Sequence, residues 1–232
     1  MTEVFAHRGL HVREPENSVA AFLEARACGV EGVELDVRRT RDAALVVHHD
    51  AEIVGVGIIG ELNCRDLPAG IPTLAEVMAA CTGMTVNVEI KNDPRDGSFD
   101  ETGALAHHVV AALAEGEWLN EVIISSFDLA TCEAVRRADP SVPVGWLLDW
   151  RHPAEPSLEV VVERGLSAIH PFFQRVSEQL VRDAHGQGIN VNVWTVNGAQ
   201  DMAQMFNWDV DTLITDDPAT ALETRRALFA AG

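Results

Sequence analysis

The chain has 232 residues, 47% of them hydrophobic and 23% charged, and 36 acidic against 17 basic side chains give it a formal charge of -19. That length and apolar content suit one globular domain spanning residues 1–232 and exclude a disordered chain. The acidity excludes nucleic acid as a partner, because no segregated basic patch is visible, and it means that an anionic substrate needs local cations from side chains or a bound metal.

In chain order, short runs rich in Val, Ile and Leu alternate with helical patterns, the signature of a parallel sheet covered by helices. Strands are expected at 4–7, 33–37, 86–90, 122–125, 144–148, 168–170, 191–194 and 213–215, which makes eight. A ninth extended piece, 44–48, follows the second strand after only a turn. Such a turn permits an antiparallel hairpin but no parallel crossover, so His49 and Asp50 return to the level of Glu34 and Asp36. Thr73 and Glu76 form a capping box ahead of Leu74, Val77, Met78 and Cys81. Asp128 precedes the apolar stripe of Leu129, Cys132 and Val135, Ser177 opens a helix that stops at Gly186 and Gly188, and Asp217 before Pro218 starts another. The N-terminal "MTEVFAHRGL" does not resemble a secretion signal, and no apolar stretch is long enough to span a bilayer. Cys28, Cys64, Cys81 and Cys132 lack metal-knuckle spacing and read as free structural thiols of a cytoplasmic protein.

Strand side chains alternate faces, so in "VELDV" Glu34 and Asp36 share the side opposite Val33, Leu35 and Val37. In "TVNVEIK" Asn87, Glu89 and Lys91 oppose Val86, Val88 and Ile90, and in "NVNVWTVN" Asn192 and Trp194 share a face. In a closed barrel the apolar set packs on the helices and the polar set enters the lumen near the strand C-termini, where barrel enzymes build their sites. Three converging carboxylates are strongly unfavourable unless a positive charge sits among them. All-oxygen ligands favour a hard divalent ion, Mg²⁺ or Ca²⁺, with Mn²⁺ also admissible. The alternative is that the acids simply pair with Arg8, Lys91 and Arg38.

The chain resembles the glycerophosphodiester phosphodiesterases along nearly its whole length. The segments that carry the resemblance, in order, are "HRG" (His7, Arg8, Gly9), "PENS" (Glu16, Asn17), "ELDV" (Glu34, Asp36), "VVHHD" (His49, Asp50), "IPTLAEV", "VEIK" (Glu89, Lys91), "SSF" (Ser126, Phe127), "VWTVN" (Trp194, Asn197) and "ITDDP" (Asp216). The resemblance implies a (β/α)8 TIM barrel, with a short hairpin excursion after the second strand, that hydrolyses a small-molecule glycerophosphodiester with one divalent cation. It implies Glu34, Asp36 and Glu89 as metal ligands, His7 and His49 as the acid/base pair, and Arg8 and Lys91 as phosphate contacts. Arg8 offers a planar fork and Lys91 a point charge, and histidine titrates near neutrality, so the residue types suit these roles. Trp194 would give the glycerol or head-group carbons an apolar wall. His107 and His108 read as surface residues, His48 as structural, and His170 as either a core or a lumen residue.

The chain departs from the family pattern after Asp50, where "AEIVGVGIIGELNCRDLPAG" replaces "LDRTT"-like residues and a sizeable cap. An abbreviated cap leaves a more open mouth, hence lower selectivity or a bulkier substrate. Ala43 stands where the family tends to have glycine, a strain only if the hairpin turn needs a positive φ. Two other functions fit this pattern: a phospholipase D-type enzyme acting on lysophospholipids, and a non-catalytic barrel that captures phosphodiesters. A pure binder has no use for two histidines in an acid/base arrangement.

Overall fold

Eight strands pair side by side, all parallel, until the last bonds to the first: β1 (Glu3–His7), β2 (Gly32–Arg39), then six more in sequence order. The structure is a computed structural model and describes residues 1–229. β3 (Leu45–Val47) lies antiparallel against β2, and β4 (Glu52–Ile53) and β5 (Gly57–Ile58) form a separate two-residue ladder. The remaining barrel strands are β6 (Thr85–Ile90), β7 (Val122–Ser126), β8 (Val144–Leu148), β9 (Ala168–Pro171), β10 (Asn190–Val193) and β11 (Thr212–Thr215). Each barrel strand is followed by a helix: α1 (Val19–Cys28), α2 (Leu74–Ala80), α3 (Ala104–Glu115), α4 (Leu129–Ala138), α5 (Ala154–Glu163), α6 (Glu178–Gly186), α7 (Ala199–Asn207) and α8 (Pro218–Phe229). The fold is the expected (β/α)8 barrel, and among the described residues no helix is long and apolar enough to cross a membrane.

The helices begin where local chemistry satisfies their free amides. Thr73 and Glu76 close the capping box of α2, with the Thr73 amide donating to Glu76 Oε2 at 2.8 Å. Asp128 accepts from the Thr131 amide, Ser177 from Leu180 and Asp217 from Thr220. Val33, Leu35 and Val37 of β2 and Val86, Val88 and Ile90 of β6 face these helices in one continuous buried core. Arg225 of α8 ties the barrel seam, donating to the Thr2 carbonyl at 2.8 Å and to both oxygens of Glu31.

The lumen is not the usual stack of branched apolar side chains. Asn87, Ser125, His170 and Asn192 are all buried on its strands. His170 packs across Gly145, where a Cβ would come within 2.2 Å of its Nε2, so glycine is required there. That Nε2 accepts from Asn192 Nδ2 at 2.8 Å, and burial holds the imidazole pKa down to about 3. His170 is therefore a neutral core residue that does not reach the mouth. His107 is exposed and His108 half-buried, and the four cysteines are unpaired.

Candidate active site

The strand ends deliver three carboxylates to one point. Asp36 and Glu89 are register partners across β2 and β6, and Glu34 lies one lumen position deeper beside His7 of β1. One oxygen of each of Glu34, Asp36 and Glu89 lies within 4.8 Å of the others, and all three residues are buried. Burial together with Asp36 and Glu89 pushes the Glu34 carboxyl well above its ordinary range, against the pull of Arg8 and Lys91. For Asp36 burial also opposes ionisation, but Lys91, Arg8, His49 and the Asn17 amide outweigh it and hold the pKa at about 2.

Two cations stand among the acids. Lys91 Nζ lies 2.8 Å from Glu89 Oε1 and 3.3 Å from Asp36 Oδ1, and Arg8 Nε lies 3.2 Å from Asp36 Oδ2. Burial works against both charges, yet the surrounding carboxylates more than compensate and raise both pKa values. The pairing alternative thus holds for Arg8 and Lys91 and fails for Arg38, which donates instead to Asp96 at 2.8 Å and to the His49 carbonyl at 2.8 Å. It also leaves the cluster one positive charge short, and among the described residues the buried Glu34 Oε1 has no hydrogen-bond partner. An orphaned carboxylate oxygen in an all-oxygen donor set fits a hard divalent cation.

Two imidazoles flank the cluster, each backed by an acid. His7 Nδ1 pairs with Asp216 Oδ1 at 2.6 Å, which turns Nε2 toward Glu34 Oε2, 3.9 Å away. Asp216 is in turn held by the Asn197 side chain, which donates to its Oδ2 at 2.7 Å and accepts from its amide at 2.9 Å. Burial opposes the Asp216 charge, but the bond from His7 prevails and lowers its pKa. His49 Nδ1 pairs with Asp50 Oδ1 at 2.7 Å. Burial and then Lys91 lower the His49 pKa, against the pull of Asp36. The expected hairpin positions it: the His48 amide donates to the Asp36 carbonyl at 2.9 Å, which brings 48–50 back to the level of the acids. His48 itself bonds the Asp50 carbonyl.

A cavity of about 690 Å³ opens on one side of the cluster, with His49, Glu89, Lys91 and Phe127 in its wall. Trp194 is half-buried just past β10, its Nε1 donating to the His170 carbonyl at 2.8 Å. Its ring meets Phe127 edge-on at 5.4 Å and Phe172 at 5.7 Å, so it supports the aromatic side of the mouth. Asn17 and Asp216 lie in segments the sequence brought forward without a role. Asn17 donates to Asp36 Oδ2 at 2.7 Å from a left-handed backbone, φ +58°. A polar residue beside a helix cap has a local reading that hides such a contact, and no spacing rule links Asp216 to His7 209 residues away.

Residues 7–220 match the model of the glycerophosphoryl diester phosphodiesterase family. A glycerophosphodiester phosphodiesterase of Caldanaerobacter subterraneus subsp. tengcongensis is 33% identical over 97% of this chain and 98% of its own length. A solved glycerophosphodiester phosphodiesterase from Parabacteroides distasonis is 25% identical and superposes with a TM-score of 0.84, covering 99% of this chain and 98% of that one. An Oleispira antarctica phosphodiesterase, solved with its product sn-glycerol-3-phosphate, shares the fold at 22% identity and a TM-score of 0.83 over 97% and 96% of the two chains. Matched from its first strand into its last helix, this chain belongs to the glycerophosphoryl diester phosphodiesterase family.

Proposed function

We propose that the chain hydrolyses glycerophosphodiesters to glycerol 3-phosphate and an alcohol, with Glu34, Asp36 and Glu89 holding one divalent cation, Mg²⁺, Ca²⁺ or Mn²⁺. The observation that carries this is the set of three buried carboxylates within 4.8 Å of one another, facing two imidazoles that are each backed by an acid. When bound, the cation supplies Lewis-acid polarisation of a phosphoryl oxygen. Arg8 and Lys91 orient the phosphate and oppose the charge that builds on it. The Asp216 and Asp50 carboxylates accept from Nδ1 of His7 and His49, so each ring presents Nε2 for proton exchange. One Nε2 takes the proton of the attacker, either water or a neighbouring substrate hydroxyl whose cyclic phosphate water then opens, and the other gives a proton to the departing alkoxide. Phe127 and Trp194 offer the substrate carbons an apolar side.

The test is release of glycerol 3-phosphate from a panel of glycerophosphodiesters by chelated protein, before and after Mg²⁺, Ca²⁺ or Mn²⁺ is restored. We expect activity only with a cation, and Glu89→Gln to lower it by about 10³-fold or more with an unchanged melting temperature. Full activity in chelator, or in Glu89→Gln, would remove the reading. A second reading, a phospholipase D-type reaction on lysophospholipids, is favoured by one observation: Phe127 in the cavity wall is 40% exposed. Free choline released from lysophosphatidylcholine with the same cation requirement would establish it.

A further inference from the structure

A second hollow of about 440 Å³ adjoins the catalytic cavity, and Arg38 and Lys91 line both. Arg39 and Arg41 complete its cationic lining, and no acidic residue contributes to it. In a chain with 36 acids against 17 bases, that local excess runs against the whole molecule. Arg38 and Lys91 already have carboxylate partners, Asp96 for the first and Glu89 with Asp36 for the second. The exposed Arg41 guanidinium donates, among the described residues, only to the Asn63 side chain, at 3.2 Å. The Arg39 guanidinium is half-buried and makes no direct hydrogen bond or ion pair among the described residues, although its charge acts on the neighbouring Asp100. A guanidinium that no carboxylate contacts directly keeps its planar fork free, and that fork matches the oxygens of a phosphate. Ile59, Phe99 and Leu105 form the apolar remainder of the wall, which limits screening by water and strengthens attraction inside. Gly60 closes that wall, since a Cβ there would come within 2.5 Å of Ser98 Cβ.

We propose that this hollow is an anion subsite, which takes a second phosphate group carried on the alcohol arm of the diester. The assignment rests on the phosphodiesterase reading: with the scissile phosphate at Lys91, one arm of the substrate extends past the shared wall toward Arg39 and Arg41. Neither arginine belongs to the machinery that holds the cation or moves the proton.

The measurement compares glycerophosphoglycerol with the same diester phosphorylated on its terminal hydroxyl. The wild-type KM is expected to be about tenfold lower for the phosphorylated substrate. Arg39→Gln combined with Arg41→Gln, which keeps much of the apolar stem, should erase that preference and leave KM for glycerophosphoglycerol within about twofold. Arg39→Lys should retain a preference, and it serves if the double variant fails to fold. Equal KM values in the wild type, or equal KM changes for both substrates, would overturn the subsite. If neither diester is hydrolysed, the phosphodiesterase reading fails separately, and calorimetry with inorganic phosphate decides the site: saturable heat lost in the double variant supports it, and identical heats overturn it. Phosphate binding that depends on Arg39 without any KM preference would assign the hollow to a free anion and overturn the substrate assignment.

Discussion

Glu34, Asp36 and Glu89 bring three carboxylates together against two cations, Arg8 and Lys91. In chelator this costs stability, and the cost rises with pH, because a carboxyl raised in the folded state binds a proton there that the unfolded chain has already lost. Glu34→Gln should therefore melt about 3 °C higher than the wild type in chelator at pH 8, the shift that roughly 1 kcal/mol produces at this chain length. It should also lose the stabilisation that Mg²⁺ or Ca²⁺ gives the wild type, and a lower melting temperature would contradict the reading. In the proposed mechanism Asp216 acts through His7 as a positioning residue: Asp216→Asn should lower kcat by about 10²- to 10³-fold while KM changes less than about threefold. His170 adds a separate acid sensitivity. Its folded pKa of about 3 lies below the ordinary 6.5, so its contribution is complete above pH 6.5 and is lost as pH falls toward 3. Unfolding free energy measured between pH 6 and 4 should fall about 1.4 kcal/mol per unit less steeply in His170→Gln than in the wild type.

The β2–β3 hairpin is the element that makes the site, because it returns His49 to the acids. Its turn is closed by the Ala43 amide donating to the Thr40 carbonyl at 3.0 Å, and it places Ala43 at φ +66°. A Cβ in that region costs about 1 kcal/mol, so Ala43→Gly should raise the denaturation free energy in urea by about that amount, and a loss would show that the strain lies elsewhere. The hairpin was legible in the sequence because "RTRD" is too short for a parallel crossover. The strand faces of "VELDV" and "TVNVEIK" were legible because a period of two admits one assignment once the apolar set is known. The roles of Asp216 and Asn17 were not, since both depend on strand register around a closed barrel, a property of the whole sheet. Nor was the choice of Arg38, whose place in the lumen pattern points toward the acids until the loop carrying Asp96 is seen beside it.

Across the whole molecule the charge of -19 opposes the approach of an anionic diester, while Arg8, Lys91 and the cationic hollow attract it only at short range. Raising salt from about 10 to 150 mM contracts the Debye length from roughly 30 to 8 Å and screens the distant repulsion first. At saturating cation, kcat/KM should then rise about twofold, and a fall would mean that the local cations govern association. The polar lumen of Asn87, Ser125, His170 and Asn192 departs from the usual apolar barrel interior, as the strand faces of Asn87 and Asn192 led one to expect. Those residues follow strand alternation, and Gly145 makes the space that one of them occupies. The His7–Asp216 pair joins the opening strand to the residue just beyond the closing one. A nascent chain still missing its final strand has all three clustered carboxylates and both imidazoles but no acid against the first ring, so synthesis must run past the last strand before that ring is set in place.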